Sequence, residues 1–233
     1  MIVYGYNVAE AILKKEKKCK KIRKIVIQDS MMGKFAKLLP ENVKSRTFYA
    51  SKSEIDFLSK GLHQGIMIDM DYSYSSLNEL LKKNPENIII LDHLEDPHNL
   101  GAIIRTAAAS SFDGIIIPKD REVGVTSTVV KASVGTIFDM DVVQVTNIKN
   151  TIEELKKEGF WIVGTSMNGS DYRQIDYSGK IALVIGNEGK GMSKLVTDSC
   201  DFLASIPIAS NVESLNASVA AGIMMYEVVR NRK

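Results

Sequence analysis

The sequence contains few of the residues that build metal and redox centres. Only two cysteines, Cys19 and Cys200, and three histidines occur among 233 residues. The cysteines share no spacing typical of a metal site or a redox pair, and no histidine has a cysteine or a second histidine at ligand spacing. We therefore expect two ordinary reduced thiols and no bound metal.

Long hydrophobic runs are also missing. No apolar stretch approaches the roughly 18 residues that a membrane helix needs, and residues 1–6 lack the basic flank and apolar run of a signal peptide. With 45% hydrophobic and 25% charged residues, the composition is typical of a globular protein. We expect a cytoplasmic protein of one or two domains that has no membrane partner.

The net charge of +2 is distributed unevenly along the chain. Residues 1–75 hold 14 Lys and Arg against 8 Asp and Glu, whereas residues 76–233 hold 16 against 20. Residues 14–24 alone contain eight cations and one carboxylate. Such a cluster attracts phosphate backbones, although a solvated helix end is the common alternative. Nucleic-acid binding is therefore one of two open interpretations of this segment.

Apolar periodicity predicts a small α/β part at the start of the chain, followed by the weakly patterned polar stretch 71–76. We place a first domain at residues 1–75, a linker at residues 76–86 and a second domain at residues 87–233. The predicted helices of the first domain are residues 7–13, 32–39 and 51–59, and its predicted strands are residues 22–27 and 65–70.

From residue 87 onward, continuous Ile, Val and Leu runs alternate with helical patterns. This alternation predicts an α/β domain with a mainly parallel sheet covered on both faces, and ligands at the carboxyl ends of its strands. The predicted strands are residues 87–91, 114–117, 142–145, 160–163, 181–185 and 202–206, and the predicted helices are residues 100–110, 126–132, 150–158, 193–197 and 214–231.

The segment Gly186–Ser193 places three glycines between a strand and a helix. A P-loop needs Lys directly before Ser or Thr, and a dinucleotide site needs Gly-x-Gly-x-x-Gly, whereas the order here is Gly-Asn-Glu-Gly-Lys-Gly-Met-Ser. Glu188 would also oppose a phosphate. The turn therefore favours a cationic or neutral ligand, such as a sulfonium or a ribose, and a plain turn before a helix is the alternative.

Polar residues at two helix starts are further candidates. Ser214 and Ser218 can be explained as helix caps, whereas Asn216 inside a first turn needs a hydrogen-bond partner. Asn99 is either a cap or a site residue. Arg105 lies in a nearly apolar helix, so its guanidinium needs an anionic partner, which a substrate phosphate or Glu188 could supply. The expected buried face of the last helix is formed by Leu215, Val219, Gly222, Ile223, Tyr226 and Val229.

Three blocks in this order resemble the motifs of the SpoU/TrmH family of RNA ribose 2′-O-methyltransferases. They are residues 99–107, 184–193 and 206–221, and Lys131–Gly135 is similar to a further shared segment. The resemblance covers roughly residues 87–231. It implies a SPOUT domain with a deep trefoil knot, S-adenosylmethionine as the cofactor and a homodimer. A knot is an exception to the ordinary topology rules, so no periodicity would predict it.

The start of the chain adds to this resemblance. Residues 4–12 and 62–65 resemble the small L30e-like, ribosomal-protein-like substrate domain of the enzymes that methylate a guanosine of 23S ribosomal RNA. RNA, most of all ribosomal RNA, is therefore the implied partner. A tRNA 2′-O-methyltransferase, a resistance methylase acting on the same ribosomal RNA and a catalytically silent RNA-binding assembly factor are the alternatives. A nucleotide-dependent oxidoreductase is disfavoured by the glycine order.

The resemblance also assigns roles to residues. Arg105 is expected to hold a substrate phosphate and to stabilise a developing alkoxide, while Ser214 and Asn216 orient the ribose hydroxyl. The implied catalytic residues are Asn99, Arg105, Glu188, Ser214 and Asn216. The implied cofactor-binding residues are Gly186, Asn187, Glu188, Gly189, Gly191, Ile206, Ile208, Ser214 and Leu215. The expected RNA contacts are Lys14, Lys15, Lys17, Lys18, Lys20, Lys21, Arg23, His63, Gln64, Arg105 and Lys131.

Overall fold

The computed structural model describes residues 1–59, 63–187, 189–209 and 212–232. Up to residue 73, short strands alternate with short helices. The elements are β1 (Ile2–Tyr4), α1 (Tyr6–Leu13), α2 (Glu16–Cys19), β2 (Ile22–Gln28), α3 (Met32–Ala36), α4 (Glu41–Lys44), β3 (Thr47–Ala50), α5 (Lys52–Ser59) and β4 (Ile66–Met70).

The rest of the chain has longer helices and a regular alternation of helix and strand. The elements are α6 (Leu77–Leu81), β5 (Asn87–Asp92), α7 (Pro97–Ala109), β6 (Gly114–Pro118), α8 (Ser127–Ala132), β7 (Asp141–Val145), α9 (Ile148–Lys157), β8 (Phe160–Asp171), β9 (Lys180–Gly186), α10 (Lys194–Thr197), β10 (Phe202–Ser205) and α11 (Ala217–Arg230).

The chain forms two compact units. The first consists of Met1–Ser73 with Val125–Asp139, and the second of Tyr74–Gly124 with Met140–Lys233. The segment Val125–Asp139, which the sequence placed in the second domain, therefore packs with the first unit. The contact is tight, since a Cβ added to Gly135 would lie 2.9 Å from the Cβ of Ala11.

The first unit has a sheet with the strand order β1-β4-β2-β3. Strand β4 is antiparallel to both β1 and β2, and β2 is parallel to β3. Strands β1, β2 and β3 consequently run in one direction, and their carboxyl ends lie at the same end of the sheet. The core beneath the sheet contains Val3, Ile12, Ile25, Phe35 and Ile55, each at most 1% exposed.

The second unit has a parallel sheet with the strand order β10-β8-β9-β5-β6-β7. Every residue of β5 and β6 is buried, as expected for central strands covered by helices on both faces. The prediction of an α/β fold with a parallel sheet is confirmed. Its switch point lies between β5 and β9, where ligands of such sheets bind. The knot stays a prediction.

The stretch 76–86, expected as a linker, is in part a helix of the second unit. Ser76 and Glu79 form a capping box that starts α6, and Leu80 is fully buried in the core. The linker prediction was therefore wrong for this helix. Strand β8 also continues to Asp171, well beyond the predicted end at residue 163.

The expected buried face of the last helix was wrong. Val219 is 50% exposed and Tyr226 is 54% exposed. The helix instead buries the face that packs against α7 and β9, because the packing partners lie on that side. The buried residues of α11 are Ala217, Ala221, Met224, Met225, Glu227 and Val228.

Candidate active site

A cavity of about 700 Å³ lies at the carboxyl ends of β9 and β10 and beside the second half of β8. We call it the strand-end cavity. Its volume is within the range of small-molecule sites. The wall consists of Thr165, Ser166, Met167, Asn168, Ile185, Gly186, Asn187, Gly189, Lys190, Gly191, Met192, Thr197, Ala204, Ser205, Ile206, Ile208, Glu213, Ser214, Leu215, Ala217 and Ala220.

The loop after β9 turns back on itself at the edge of this cavity. Asn187 and Gly191 exchange backbone hydrogen bonds of 3.0 and 2.8 Å, and Gly191 has a φ of +65°. A Cβ on Gly186 would lie 2.3 Å from both the carbonyl carbon of Gly191 and the nitrogen of Met192. Because no side chain fits there, glycine at position 186 is required for the loop to close.

The side chain of Asn187 holds this loop in shape. Its Oδ1 accepts hydrogen bonds from the backbone N–H groups of Gly189 (2.9 Å) and Lys190 (3.3 Å). Its Nδ2 donates to the carbonyl oxygen of His93 at 2.9 Å. The amide is thus engaged at both ends by protein, so Asn187 shapes the cavity wall more than it offers free polar atoms to a ligand.

Asp92, at the end of β5, supports this loop and was missed by sequence reasoning. It is 1% exposed and pairs in register with Gly186. Its carboxylate accepts a 2.7 Å hydrogen bond from the backbone N–H of Ser193 and lies 2.6 Å from Nδ1 of His93. A buried carboxylate needs such partners. The signal was available in the sequence, since Asp92 is the first polar residue after an Ile-Ile-Ile-Leu run.

A second carboxyl group lies close to Asp92. Oε2 of Glu122 accepts a 2.7 Å hydrogen bond from the backbone N–H of Leu94, whereas its buried Oε1 has no partner within the described residues. Burial, reinforced by the charge of Asp92, raises the pKa of Glu122 to about 8. Glu122 is therefore largely protonated at neutral pH.

Helix α7 begins earlier than predicted. Asp96 caps the helix by accepting a hydrogen bond from the N–H of His98, and Pro97 occupies the first turn. The interpretation of Asn99 as a cap was therefore wrong, and Asn99 is a buried polar residue with 5% exposure. Arg105 is exposed, and in the described ranges no carboxylate forms an ion pair with it.

The cap of α11 also differs from expectation. Oδ1 of Asn216 accepts hydrogen bonds from the N–H groups of Ser218 and Val219 at 3.0 and 3.4 Å and from the hydroxyl of Ser218 at 2.6 Å. Asn216, and neither Ser214 nor Ser218, is therefore the N-cap. Ser214 is exposed and belongs to the wall of the strand-end cavity.

The strand-end cavity brings together the residues expected to bind the cofactor. All of them that the structure describes are part of its wall, and Glu188 lies outside the described residues. Among the described residues, the wall includes neither Asn99, Arg105 nor Asn216. The wall residues that sequence reasoning missed are Thr165, Ser166, Met167, Asn168, Ile185, Lys190, Met192, Thr197, Ala204, Ser205, Glu213, Ala217 and Ala220.

Several cations of the basic cluster, residues 14–24, form ion pairs with nearby carboxylates. Lys15 and Lys18 both bind Asp139, and Nζ of Lys18 lies 2.6 Å from its carboxylate. Lys18 is only 8% exposed, and burial lowers its pKa in spite of this partner. Lys18 therefore holds Asp139, which precedes β7, and we remove it from the expected RNA contacts.

Other cations of this cluster also have carboxylate partners. The pairs are Lys14 with Glu10 at 3.0 Å, Lys20 with Glu16 at 3.9 Å, and Arg23 with Asp69 at 2.6 Å and Asp71 at 2.7 Å. In the described part of the chain, Lys17 has no ion pair, and Lys21 donates to the hydroxyl of Ser73 at 3.2 Å. The positive electrostatic field of this surface is therefore weaker than eight unpaired cations would produce.

The other residues expected to contact RNA differ in their exposure and in their hydrogen bonds. His63 is 5% exposed, its Nδ1 accepts from the N–H of Gly65 at 2.9 Å, and its Nε2 lies 2.9 Å from Oδ1 of Asp56. His63 is therefore a structural residue of the first unit. Gln64 and Lys131 are exposed, and Nζ of Lys131 lies 5.4 Å from the centre of the Tyr4 ring.

The described ranges contain neither a candidate membrane span nor a metal-binding cluster. No helix there combines the length and apolar character of a membrane span. No three or more His, Cys, Asp and Glu side chains there are grouped in a way that could hold a metal ion.

Known proteins match both the sequence and the fold. Residues 86–226 match the SpoU rRNA Methylase family. A protein of Staphylococcus epidermidis, provisionally named a TrmH family tRNA/rRNA methyltransferase, is 46% identical over 242 aligned residues that cover 100% of this chain and 96% of that protein. A Staphylococcus aureus protein with the same name is 45% identical with the same coverage.

Solved structures match over nearly the whole chain. An rRNA methyltransferase of Sinorhizobium meliloti with bound AdoMet has a TM-score of 0.83 and 28% identity, covering 98% of this chain and 86% of that one. The SpoU methyltransferase AviRb of Streptomyces viridochromogenes, in complex with AdoMet, has a TM-score of 0.84 and 25% identity, covering 100% of this chain and 90% of that one. The similarity therefore includes the first unit as well as the second.

Proposed function

Because the chain belongs to the SpoU/TrmH family of RNA methyltransferases, we propose that it transfers a methyl group from S-adenosylmethionine to a ribose 2′-oxygen in RNA. We further propose that the target is a guanosine of 23S ribosomal RNA. The observation that carries this proposal is the strand-end cavity, whose wall contains every described residue expected to bind the cofactor.

The cavity wall suits S-adenosylmethionine. Ile206, Ile208 and Leu215 offer apolar surface to an adenine, while the carboxylate of Glu213 can balance the charge of a cationic ligand. The loop that needs glycine at position 186 brings backbone close to the cavity without a side chain between them. The wall combines apolar surface with polar and charged side chains, which suits a cofactor that carries an adenine, a ribose and a charged sulfur.

The bound cofactor would supply a methyl group on a cationic sulfur, an electrophile that a ribose oxygen can attack. Arg105 is exposed and has no carboxylate partner in the described ranges, so its charge is available for a phosphate of the substrate. Guanidinium does not give up its proton in proteins, so Arg105 cannot be the proton acceptor. We propose that Arg105 orients the ribose through its phosphate and stabilises the developing alkoxide.

The start of α11 contributes the other proposed contacts. Ser214 lies in the cavity wall, where its exposed hydroxyl can orient the ribose hydroxyl. Asn216 uses Oδ1 to cap the helix, so its proposed role narrows to positioning Ser214 and the helix start. Alignment of the two reactants is the main source of acceleration in such a transfer.

We also propose that the enzyme works as a homodimer. The support is the outward face of α11, where Val219 and Tyr226 are about half exposed. Apolar side chains along one exposed helix face are typical of a surface that another protein covers. A second copy of the chain is the proposed cover.

Mapping of ribose methylation tests the function. Total RNA from cells that lack the gene would be incubated with the protein and S-adenosylmethionine, then partially hydrolysed in alkali. A 2′-O-methyl group blocks cleavage at its own nucleotide, so the proposal predicts one new gap in the ladder of 23S RNA, at a guanosine. A gap in tRNA alone would favour the tRNA enzyme, and cofactor binding without any gap would favour the silent assembly factor.

A matched pair of variants tests the role of Arg105. We expect Arg105→Lys to lower kcat/KM at least 100-fold, because one ammonium cannot replace the planar fork of donors. Arg121→Lys, at another exposed arginine of the second unit, should leave the rate unchanged. Wild-type turnover by Arg105→Lys would contradict the proposed role.

A further inference from the structure

A second cavity, of about 520 Å³, lies in the first unit. We call it the amide cavity. Its wall is formed where the parallel strands β1, β2 and β3 end and β4 begins, since it includes Tyr6, Gln28, Lys52 and Gly65. The carboxyl ends of parallel strands are where open α/β sheets place their ligands. The motif residues of the second unit play no part in it.

Three side-chain amides form part of the polar wall. Asn7, Gln28 and Gln64 line the cavity, where Nε2 of Gln28 donates to Oγ of Ser30 at 2.7 Å and Oε1 of Gln64 accepts from the N–H of Tyr6. Because an amide NH₂ has two hydrogens and its oxygen has two lone pairs, these amides can also bond a ligand. This combination matches the Watson–Crick edge of a nucleobase, which also presents donors and acceptors side by side. An inorganic anion would need donors alone.

Two ammonium groups provide the charge for a phosphate. Lys34 and Lys52 line the cavity and are exposed, and the wall has one carboxylate, Asp56, which lies 2.9 Å from Nε2 of His63. Nζ of Lys34 lies 4.7 Å from the centre of the Tyr6 ring. A cation–π contact of this kind restrains the lysine head without neutralising it.

The rim of the cavity is built in advance of any ligand. The N–H of Tyr6 donates to Oε1 of Gln64 at 2.8 Å, and Gln64 itself has a φ of +51°. Gly65 has a φ of +82°, and a Cβ there would lie 2.1 Å from the sulfur of Met31. Left-handed backbone in a side-chain-bearing residue is costly and is found at binding sites more often than elsewhere.

We propose that the amide cavity binds one unpaired nucleotide of the RNA substrate. The amides of Asn7, Gln28 and Gln64 contact the base edge, and Lys34 and Lys52 contact its phosphate. The proposal rests on the proposed function, because it identifies part of the RNA as the occupant. It also changes the view of the substrate, which would need an unpaired base in addition to the methylated ribose.

Nuclear magnetic resonance on the full chain tests the binding. Each of the four nucleoside 5′-monophosphates would be titrated into isotope-labelled protein. We expect the side-chain NH₂ signals of Asn7, Gln28 and Gln64 to shift and saturate in the wild type, and not in Lys34→Ala/Lys52→Ala. Unshifted amide signals would overturn the proposal, and so would equal shifts with a poly-aspartate peptide.

Methylation kinetics with total ribosomal RNA from cells lacking the gene provide a second test of the amide cavity. The double variant should raise the KM for RNA roughly tenfold and reduce the dependence of binding on salt, as the loss of about two phosphate contacts predicts. The KM for S-adenosylmethionine should not change. Lys37→Ala/Lys44→Ala is the matched control, because both lysines are exposed in the same unit and lie outside the cavity wall.

The outcomes separate the two proposals. Methylation by the wild type together with an unchanged KM in Lys34→Ala/Lys52→Ala would overturn the amide cavity and leave the methyltransferase in place. Saturable amide shifts in a wild type that methylates no RNA would do the reverse, supporting nucleotide binding in the cavity and contradicting the proposed reaction.

Discussion

The strand-end cavity and the amide cavity share a position at the carboxyl ends of parallel strands but differ in the chemistry of their walls. Among the described residues, the strand-end wall has three glycines, three isoleucines, two side-chain amides and one lysine, whereas the amide cavity has three side-chain amides and two lysines in a smaller wall. Backbone and apolar surface suit a compact cofactor, and cations with amides suit a nucleotide. In these two proposals, sheet topology sets the position of each binding site and the loop residues set its ligand.

The substitution expected to separate ligand binding in the two cavities most strongly is Gly186→Ala, which adds a single methyl group. Gly186→Ala would place a Cβ 2.3 Å from two backbone atoms of the loop after β9. We expect S-adenosylmethionine affinity to fall at least 100-fold in calorimetry, while nucleotide-induced shifts at the amide cavity persist.

Gly33→Ala is the control for this change. A Cβ there would meet no described atom within 4 Å, and Gly33 lies in the first unit, outside the wall of the strand-end cavity. Equal cofactor affinity in the two alanine variants would show that the closed loop is not needed for binding.

Removal of the carboxylate at the switch point is expected to have the next largest effect. Asp92→Ala leaves the N–H of Ser193 and the ring of His93 without their partner. The free energy of unfolding should fall by about 2–3 kcal/mol in urea titrations. The exposed Asp198→Ala should change it by less than about 0.5 kcal/mol. A stable Asp92→Ala protein with full cofactor affinity would contradict the role of Asp92 in the loop.

The raised pKa of Glu122 predicts how stability depends on pH. The folded pKa of about 8 lies above the ordinary value of 4.5 in the unfolded chain. The neutral carboxyl therefore stabilises the fold fully below pH 4.5, and this contribution is lost as the pH rises through 8. The loss should be on the order of 2 kcal/mol once solvent screening is allowed for.

Glu122→Gln, which keeps the shape of the neutral acid, isolates this effect. Urea unfolding between pH 5 and 9 should show a smaller decline for the variant than for the wild type, and a more stable variant at pH 9. Parallel curves for the two proteins would mean that Glu122 does not titrate in this range.

The smallest expected effects separate a structural lysine from a surface lysine in the first unit. Lys18→Ala should lower the free energy of unfolding by about 1–2 kcal/mol, because Lys18 is buried against Asp139. Lys17→Ala, at an exposed site, should leave stability unchanged and weaken RNA binding only at low salt. Equal effects of both changes on RNA affinity would return Lys18 to the RNA-contacting surface.

Local patterns in the sequence predicted the central strands and the turn after β9 well. The Ile-Val-Leu runs define β5, β6 and β9, and the glycines of residues 186–193 mark the turn that follows β9. These features depend on residues close together in the chain. The prediction of the α/β class was therefore reliable without any long-range contact.

The errors concern choices that only tertiary structure decides. Asn99 and Asp96 are both good caps, and so are Ser214 and Asn216, so propensity could not choose between them. Helix α11 is apolar on more than one side, and packing against α7 decides which side is buried. The pairing of Lys18 with Asp139 spans more than a hundred residues, beyond any local pattern.

The segment Val125–Asp139 has a practical consequence for anyone who wishes to study the first unit alone. A fragment that ends at residue 75 would lack Asp139, leaving the buried Lys18 without its counter-charge, and would expose the surface that Gly135 now covers. Such a fragment should aggregate or unfold. Joining residues 1–73 to residues 125–139 through a flexible glycine-serine linker would retain both contacts, and would give RNA-binding experiments a first unit with its own complete core.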